Sequence, residues 1–422
     1  MQEKADSELV RRQNRRIVLR ALRENGPLAR VEIGRMTGLS PASITTIASQ
    51  LIAENVLEEV AGILPLAGGI RRGRPMTQLR FRSNTGHVLA ITLSIDAVGL
   101  ALADLDGKIV ERSTVHLPTY AAKADRYGSD VADRIEHFMA AAGRDMTTVL
   151  RIGAAVQGLA DTHEGLLLWS PAFAAHNIAL ARPLQQRFKI PCWIANDANM
   201  IAEGFLSLGR MDRMSDPSPH RQGITATIFT GNGVGMGLIM DGKVYHGATG
   251  GASEFGHMNH IPHGAPCRCG RKGCIEAYAA DYGIWRMARG DPDDDAPHEA
   301  IDSKLMAELL ASAAAGEPRA VAAFKIAGQA LGFGIARLIA ILNPHRVVIA
   351  GPGLSASTII EPALLAGLQD GVIEELRKNV SIEFVHFETD MILRGTIAAL
   401  LRDVDGEVTA FPAAGPAALA VG

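Results

Sequence analysis

Residues 251–278 constrain this chain more than any other segment, because they contain three of its four cysteines. Cys267, Cys269 and Cys274 lie within eight residues, and His257 precedes the first of them by ten positions. Three thiolates and one imidazole make a closed tetrahedral zinc site. The pattern therefore predicts a structural zinc ion held by these four residues.

A zinc ion whose four positions are filled by protein has no place for a reactant, so it would shape the zinc loop, residues 257–274, without doing chemistry. Gly270 and Gly273 let this loop fold back on itself. The alternative is three free cysteines in a loop. The fourth cysteine, Cys192, lies in an apolar run and is interpreted as a small buried residue. Such sparing use of cysteine is typical of a reducing compartment, and we expect a cytoplasmic location.

The length of 422 residues allows two or three domains. We find no run of 18 or more uncharged apolar residues, and the first residues lack the apolar centre of a signal peptide, so no membrane segment is expected. Residues 1–82 hold 14 Lys and Arg against 8 Asp and Glu, a balance of +6, whereas the remainder holds 28 against 37, a balance of −9. This asymmetry indicates that a basic N-terminal module, and not the acidic body, meets a polyanion such as DNA.

The basic module has the element order of a helix-turn-helix. The pattern predicts a helix over residues 7–24, a short helix over residues 31–37 and a third over residues 41–54. Gly38 suits the end of the second helix, and Ser40 suits the start of the third. Apolar residues repeat along one face of the third helix, which leaves a polar face that could reach base edges in a major groove. The candidate DNA-contact residues of that helix and its cap are Ser40, Ala42, Ser43, Thr45, Thr46 and Gln50.

An arginine-rich loop follows the third helix. The runs VLEEVA and TQLRFR are β-like, and the loop between them holds Arg71, Arg72 and Arg74. Pro75 disfavours helix at Arg74, so these arginines lie on extended chain that could follow a phosphate backbone or enter a narrow minor groove. A plain three-helix bundle with a solvated basic loop is the alternative. Helix and loop together favour a winged helix-turn-helix DNA-binding domain over residues 1–82.

From residue 87 the sequence contains two successive blocks of strands and helices. Each block opens on a strand that ends in a glycine-rich or acidic turn, which predicts an α/β body of two lobes around a cleft. We assign residues 83–405 to this body. The last residues, 406–422, lack a pattern that would predict packing against the body, and we expect them to form a flexible tail.

Four segments of the body resemble signatures of the ROK family, which contains repressors, uncharacterised reading frames and sugar kinases. GGASEFGH…CRCGRKGCIEAY resembles the zinc signature, IANDANMIAEG the sugar-site segment, and TGNGVGMGLIMDGKVYHGATG the second glycine-rich phosphate loop. VVIAGPGL lies where the adenosine-side glycines of the family fall. The resemblance covers roughly residues 87–405 and implies an actin-like or hexokinase-like fold that binds a sugar between its lobes.

The resemblance also implies a set of site residues. In the family's kinases, the residue matching Asp197 is the general base that takes a proton from the attacking sugar hydroxyl. Converging carboxylates accept hydroxyl protons in fixed planes, so they can distinguish the stereochemistry of a ring. His257 would use one ring nitrogen for zinc and the other for the sugar or a neighbouring residue. The implied sugar contacts are Gly158, Asn196, Asp197, Glu254, His257 and Glu276.

The first phosphate loop of the family's kinases, DxGGT, is not preserved in this chain. Alignment on ALADLDG places Thr92 at its aspartate and Ser94, Ile95 and Asp96 at its GGT. The glycines that would bring backbone N–H groups to a phosphate are thus replaced, and an anion would meet Asp96 in place of a nest of donors. Binding of ATP is therefore not expected.

The expected function is a sugar-responsive transcriptional regulator, a repressor that binds double-stranded operator DNA and a monosaccharide effector. One short recognition helix reads too few bases for specificity, so we expect a homodimer or tetramer. In this interpretation no residue is catalytic, and Asp197 is a vestigial base. The first alternative is a sugar kinase that phosphorylates a hexose or N-acetylhexosamine with Asp197 as general base. The second is a regulator whose sugar site is a relic, and retention of the side chains named above argues against it.

Overall fold

The structure is a computed structural model that describes residues 2–61, 77–82, 85–207, 223–292, 294, 296, 297, 299–385 and 390–407. Of the sequence predictions, the arginines Arg71, Arg72 and Arg74 lie outside the described residues, as do residues 408–422 of the expected tail.

The N-terminal part of the chain forms three helices and a small antiparallel sheet. These elements are α1 Gln2–Asn25, β1 Leu28–Ala29, α2 Arg30–Thr37, α3 Pro41–Ala53, β2 Leu57–Ala61 and β3 Thr77–Phe81. β3 lies between β1 and β2 and is antiparallel to both. The three predicted helices and both predicted strands are present, and β1 is an additional short strand that the sequence analysis did not identify.

The turn between α2 and α3 forms through local interactions that the sequence predicts. Gly38 ends α2 with φ 70°, and its N–H donates to the carbonyl oxygen of Gly34. The Ser40 hydroxyl oxygen accepts a hydrogen bond from the Ser43 N–H at 3.2 Å, which caps α3. The apolar face of α3 is buried against the rest of the module, whereas the opposite face does not pack on the module.

The first lobe of the body is built on a five-stranded sheet in the order β11-β7-β4-β5-β6. Its strands are β4 His87–Ser94, β5 Ala97–Asp104, β6 Ile109–His116, β7 Val149–Val156 and β11 Cys192–Asn196. The lobe also contains α4 Tyr127–Ala141, α5 Ala181–Phe188 and a small sheet of β8 Leu159–Asp161, β9 Leu166–Trp169 and β10 Ile178–Ala179. β4, β5 and β6 form an antiparallel meander, and β7 and β11 extend the sheet as parallel strands.

The second lobe repeats this arrangement in the order β14-β13-β12-β15-β16, with an antiparallel meander and two parallel strands. Its strands are β12 Ile224–Thr230, β13 Val234–Met240, β14 Lys243–Val244, β15 Arg346–Ala350 and β16 Ser381–Val385. The remaining helices are α6 Asp197–Ser207, α7 Glu276–Ala279, α8 Asp281–Arg289, α9 Ser303–Ala314, α10 Pro318–Leu342, α11 Ser357–Gly371, α12 Glu374–Arg377 and α13 Met391–Glu407. Two lobes built on sheets of the same topology confirm the predicted actin-like α/β architecture.

The helices α6 and α13 pack on each other between the two sheets. Met200 of α6 lies in one apolar cluster with Ala155 and Ala195 of the first lobe. Phe205, also on α6, lies in another with Val348 of the second lobe. A salt bridge from Arg402 of α13 to the buried carboxylate of Glu203 on α6 joins the pair. Both helices therefore contact elements of both lobes.

The N-terminal module packs directly on the body through α13. Val18, Leu19 and Leu22 of α1 share an apolar cluster with Leu401 and Val404 of α13, among other residues. At the same junction, the Arg23 guanidinium donates to both carboxylate oxygens of Asp405, at 2.7 and 3.1 Å, and to the carbonyl oxygen of Leu105. The module and the body thus share a continuous core.

Helix α10 is long and apolar enough to cross a membrane by length and composition alone. One face of this helix is buried against α11 and α8 in the second lobe, and Phe324, Leu331 and Ile335 belong to the main apolar cluster of that lobe. Its apolar character is therefore accounted for by burial in the protein.

Candidate ligand and metal site

A cavity of about 480 Å³ lies between the two lobes. Strand ends of the first lobe contribute Gln157, Gly158 and Trp169, and the β11–α6 junction contributes Asn196 and Asp197. The residues of the second lobe that line the cavity include Gly233, Glu254, His257, Glu276 and Asp281. The structure thus brings together in one cavity all six residues that the family resemblance implied as sugar contacts.

Gly158 occupies a position that only glycine fits. Its φ is 109°, and a Cβ there would lie 2.3 Å from the carbonyl oxygen of Trp169. The Gly158 carbonyl oxygen accepts a hydrogen bond from the Asn196 side-chain amide at 2.9 Å. This contact ties the loop after β7 to the loop after β11, so both are held at the cavity wall.

The β11–α6 junction combines a helix cap with two site residues. The Asn196 amide oxygen accepts hydrogen bonds from the N–H groups of Ala198 and Asn199, at 2.8 and 3.3 Å. Asp197 Oδ1 also accepts from the Ala198 N–H, at 2.8 Å. Asn196 therefore chiefly positions the junction, whereas the second carboxylate oxygen of Asp197 remains for a ligand.

Asp197 has an environment that favours its protonated form. Burial raises the pKa of this carboxyl to about 7, and the nearby carboxylates of Glu254 and Glu276 add to the rise. The hydrogen bond from the Ala198 N–H opposes these effects. Asp197 is thus balanced between its two protonation states near neutral pH, which is a property suited to accepting a hydroxyl proton.

Glu276 connects the glycine-rich hairpin to the zinc loop. One carboxylate oxygen accepts a hydrogen bond from the Val234 N–H at 3.1 Å, and the other accepts one from the Tyr282 hydroxyl at 3.3 Å. A Cβ on Gly233 would lie 3.1 Å from the first of these oxygens. The carboxylate of Glu254 lies 3.9 Å from His257 Nε2, and burial raises the pKa of Glu254. The two glutamates are thus held beside the predicted metal ligands.

The four predicted metal ligands form a cluster in which all ligand atoms lie within 4.8 Å of one another. Cys269 Sγ is 3.7 Å from Cys274 Sγ, and Cys267 Sγ is 3.6 Å from His257 Nδ1. A tetrahedral zinc site with ordinary bond lengths has corresponding edges of about 3.8 and about 3.6 Å. The residues present therefore fit a zinc-sized ion.

One sulfur of this cluster is in the form that binds a metal. Hydrogen bonds from the thiols of Cys267 and Cys274 lower the pKa of Cys269 far below its usual range, so that sulfur is a thiolate at neutral pH. His257 directs Nδ1 towards the Cys267 sulfur and Nε2 towards the Glu254 carboxylate. A metal could thus fix the ring that forms part of the cavity wall.

Three further lining residues were missed by sequence reasoning. The Trp169 ring lies edge-on to the His257 ring, with 5.4 Å between their centroids. Gln157 directly follows β7, beside Gly158. Asp281 begins α8, and burial raises the pKa of its carboxyl to about 6. None of the three belongs to a spacing pattern, although a tryptophan at the end of a short strand could have been flagged as a sugar-stacking candidate.

One residue of the loop at the position of the first kinase phosphate motif has a role that the sequence did not predict. Ser94 lines the cavity. Asp96 is not among the described lining residues, since its carboxylate oxygen accepts hydrogen bonds from the N–H and hydroxyl of Thr119, at 3.0 and 3.2 Å. The expectation that an anion in the cleft would meet Asp96 was therefore wrong, because this carboxylate holds the β4–β5 turn against a neighbouring loop.

Two glycines of the second phosphate motif have packing roles. A Cβ on Gly235 would lie 2.8 Å from the Ala198 side chain, and one on Gly237 would lie 2.5 Å from the Ala202 side chain. These glycines allow β13 to lie directly against α6. Their presence therefore does not by itself indicate a phosphate site.

The candidate DNA-contact face is exposed on α3. Ala42, Thr45, Thr46 and Gln50 are exposed, Ser40 is exposed at the cap, and Ser43 is half-buried. The hydroxyls of Thr45 and Thr46 donate to carbonyl oxygens one turn earlier in the helix. They can accept hydrogen bonds from a base, while the longer Gln50 side chain can both donate and accept.

A family model described as the ROK family matches residues 88–403, which is most of the chain. The chain therefore belongs to the ROK family. It is 26% identical over 376 residues to the DNA-binding transcriptional dual regulator NagC of Escherichia coli strain K12, with 89% of each protein covered. It is 25% identical to the xylose repressor of Bacillus spizizenii, with 88% of this chain and 90% of that repressor covered.

Two solved structures of ROK family proteins are also similar to this chain. A ROK family transcriptional regulator described as a homologue of the E. coli Mlc protein matches with a TM-score of 0.73 and 25% identity, covering 95% of this chain and 98% of its own. A ROK family glucokinase from Streptomyces griseus, solved with glucose and AMPPNP, matches with a TM-score of 0.58 and 24% identity. This second match covers 75% of the present chain and 100% of the glucokinase, and it shows the fold of the body alone.

Proposed function

We propose that this ROK protein is a sugar-responsive transcriptional regulator that represses genes of carbohydrate uptake and catabolism. The observation that carries the proposal is the union of two features in one chain. An N-terminal helix-turn-helix packs on a body whose interlobe cavity is lined by all six expected sugar-contact residues. Similarity to named regulators over nearly the full length supports this function.

The N-terminal module would bind operator DNA through α3 and the arginine-bearing wing. α3 would enter the major groove with Gln50 and the small polar residues around it facing base edges. Two modules about one helical turn apart would read a pseudo-palindromic site, so we propose a homodimer or tetramer, acting in the cytoplasm. The body would then set the distance between modules.

The cavity would hold a monosaccharide on the carboxylates of Asp197, Glu254 and Glu276, with His257 beside them. We propose zinc as the ion of the His257, Cys267, Cys269 and Cys274 cluster, because three sulfurs and one nitrogen in tetrahedral geometry are a preferred zinc set. The ion would fix the loop that carries the second half of the sugar site. It would have no open position and no catalytic role.

The two functions would be linked through the central helices. Asp197 is the first residue of α6, α6 packs on α13, and α13 packs on α1 of the module. Sugar binding that closes the lobes would shift this helix pair and thereby the position of the module. The sugar changes DNA affinity only through its preference for one state, and a preference of about 1–3 kcal/mol corresponds to roughly 5- to 150-fold.

A sugar kinase is the second candidate, and one observation favours it. Asp197 has a pKa of about 7, which suits the general base of phosphoryl transfer. Against it, Thr92 and Ser94 occupy the first phosphate motif, and Gly235 and Gly237 of the second motif pack against α6. We therefore propose that the chain is not an enzyme. ATP turnover with a panel of sugars tests this directly.

The deciding experiment is a fluorescence-anisotropy titration of the protein onto the DNA upstream of its own gene, at fixed salt. It is repeated with glucose, N-acetylglucosamine, xylose and their phosphates. Tight binding that one sugar relieves is the expected result. Absence of specific DNA binding in all conditions would remove the regulator proposal and leave the kinase as the better candidate.

A further inference from the structure

Arg268 lies in the zinc loop between two of the predicted metal ligands, and its charged side chain is buried. Its guanidinium donates three hydrogen bonds of 2.7 Å, each to a backbone carbonyl oxygen, and the acceptors belong to Asn232, Pro297 and Glu299. Hydrogen bonds from an ionised donor are stronger than those between neutral groups. Arg268 therefore fixes two other stretches of main chain relative to the zinc loop.

One of these stretches is the β12–β13 turn, residues 231–233, which lines the interlobe cavity through Asn232 and Gly233. A Cβ on Gly233 would lie 3.1 Å from a carboxylate oxygen of Glu276 and 3.5 Å from the side-chain amide nitrogen of Gln157. The turn thus lies beside an expected sugar contact of the second lobe and close to a lining residue of the first lobe. Its position determines how closely the second lobe approaches a sugar held there.

Three hydrogen bonds join this turn, and the residue after it, to residues 268–281. The donor and acceptor pairs are Arg268 to Asn232, Val234 to Glu276 and Asp281 to Gly231, at 2.7, 3.1 and 2.8 Å. Glu276 and Asp281 line the cavity themselves, whereas Arg268 is not among the described lining residues. Arg268 therefore acts on a bound ligand only through the main chain that it holds.

A second buried arginine, Arg286, provides a comparison within the same region. The guanidinium carbons of Arg268 and Arg286 lie 4.4 and 5.6 Å from the centroid of the Tyr282 ring. Arg286 also donates three hydrogen bonds to backbone carbonyl oxygens, at 2.8 to 3.0 Å, and the acceptors belong to Pro266, Ala277 and Asp294. None of these three lines the cavity. The two arginines are thus alike in burial and in bonding, but only Arg268 reaches a lining residue.

From this geometry we propose that Arg268 is a positioning residue of the sugar site, which sets sugar affinity by holding the β12–β13 turn beside Glu276. This inference rests on the proposed function and adds to it a residue that does not touch the sugar. Lysine has the same charge, but its ammonium group is a compact point donor that does not reproduce the rigid fork of a guanidinium. Arg268→Lys therefore separates the geometry of this side chain from its charge.

Isothermal titration calorimetry on the zinc-loaded full-length protein tests this role, with glucose, N-acetylglucosamine and xylose as probes. We expect Arg268→Lys to keep its zinc and to bind the responding sugar at least about tenfold more weakly than wild type, since losing a hydrogen bond from a charged donor has an effect of this order. Unchanged sugar affinity in this variant would overturn the inference.

Arg286→Lys is the matched control, because it makes the same change in a buried arginine that does not reach the cavity lining. It should lower the free energy of unfolding, measured by chemical denaturation, as Arg268→Lys does, but should leave sugar affinity within about twofold of wild type. Equal losses of sugar affinity in both variants would indicate a general loosening of this region and would contradict a positioning role.

Gly233→Ala displaces the turn without changing Arg268, so it tests the inference even if Arg268→Lys does not fold. Its Cβ would crowd the Glu276 carboxylate. We therefore expect weaker sugar binding in this variant, and little additional loss when it is combined with Arg268→Lys, because both changes act through the same turn. Wild-type affinity in Gly233→Ala, or full addition of the two losses, would overturn the inference. If the wild-type protein binds no sugar, the proposed function itself fails, and the role of Arg268 fails with it.

Discussion

At the scale of single residues, Asp197 makes a pH-dependent contribution to stability. Its pKa rises from an ordinary carboxyl value in the unfolded chain to about 7 in the folded protein. The folded state therefore holds this proton more tightly, and stability falls as the pH rises from about 4 to about 7. Partial opening of the side chain to the cavity reduces the effect, so a three-unit shift, about 4 kcal/mol, is an upper limit.

Asp197→Asn should accordingly stabilise the protein most at alkaline pH. We expect the variant to match wild type near pH 4 and to have the higher free energy of unfolding at pH 8, as measured by chemical denaturation across this range. It should also weaken sugar binding at pH 8, because a neutral amide accepts hydroxyl protons less strongly than a carboxylate. A stability difference that does not change with pH would show that Asp197 titrates normally.

The cysteine cluster allows a comparison between two cysteines of different roles. Cys269→Ser should lose the bound zinc, measured by metal analysis after dialysis, and should lose the sugar response because His257 and Glu276 are no longer held in place. Cys192→Ser lies away from the cluster and should keep one zinc per chain and a normal response. A zinc-free Cys269→Ser protein that still responds to sugar would contradict a structural role for the ion.

At the scale of elements, α3 presents one long polar side chain among short ones. Gln50→Ala should reduce affinity for the specific operator by about 1–3 kcal/mol, since a bidentate contact to a base has this value, while binding to unrelated DNA stays nearly unchanged. Gln186→Ala, the same change at an exposed position of α5 in the body, is the control. Equal losses on specific and unrelated DNA, measured by anisotropy at fixed salt, would indicate that Gln50 does not read bases.

Several elements could be predicted from sequence because local signals determine them. Gly38, the Ser40 cap and the apolar face of α3 identified the turn and the third helix, and the β-like runs VLEEVA and TQLRFR identified β2 and β3. The cluster of one histidine and three cysteines was predicted because cysteine is rare and closely spaced here. These signals depend on neighbouring residues alone, so no knowledge of the fold was needed.

Other features could not be predicted because they depend on contacts between distant segments. The α13 helix, which joins both lobes to the module, has no distinctive pattern in the sequence, and the same is true of the short strand β1. Asp96 was assigned to the cleft, but its carboxylate binds Thr119, which lies on a loop 23 residues away in sequence. Such pairings follow from tertiary packing, which a linear pattern does not record.

At the scale of the whole molecule, the junction between module and body should determine how strongly sugar affects DNA binding. Asp405→Asn removes the charge that holds Arg23 at the end of α13. We expect sugar affinity to stay within about twofold of wild type, while the change in DNA affinity that sugar produces falls from the proposed 5- to 150-fold toward none. Both quantities come from paired calorimetry and anisotropy titrations.

Asp390→Asn provides the matched control at the other end of α13, where Asp390 pairs with Arg394 on the surface. It should leave both sugar affinity and the sugar effect on DNA unchanged. If Asp405→Asn retains the full sugar effect, the signal does not pass through this junction. If Asp390→Asn loses it as well, a general loosening of α13 is the better explanation.

The glycines between α6 and α13 form a helix contact that is distinct from the residues that select the sugar. A Cβ on Gly395 would lie 1.6 Å from the Met200 carbonyl oxygen, and one on Gly204 would lie 2.7 Å from the Met391 sulfur. The two helices therefore touch along their backbones, at glycines that do not line the cavity. Substitutions at Gln157 or Trp169 would change which sugar binds while leaving the contact between α6 and α13 unchanged. The protein is therefore a practical starting point for engineered biosensors.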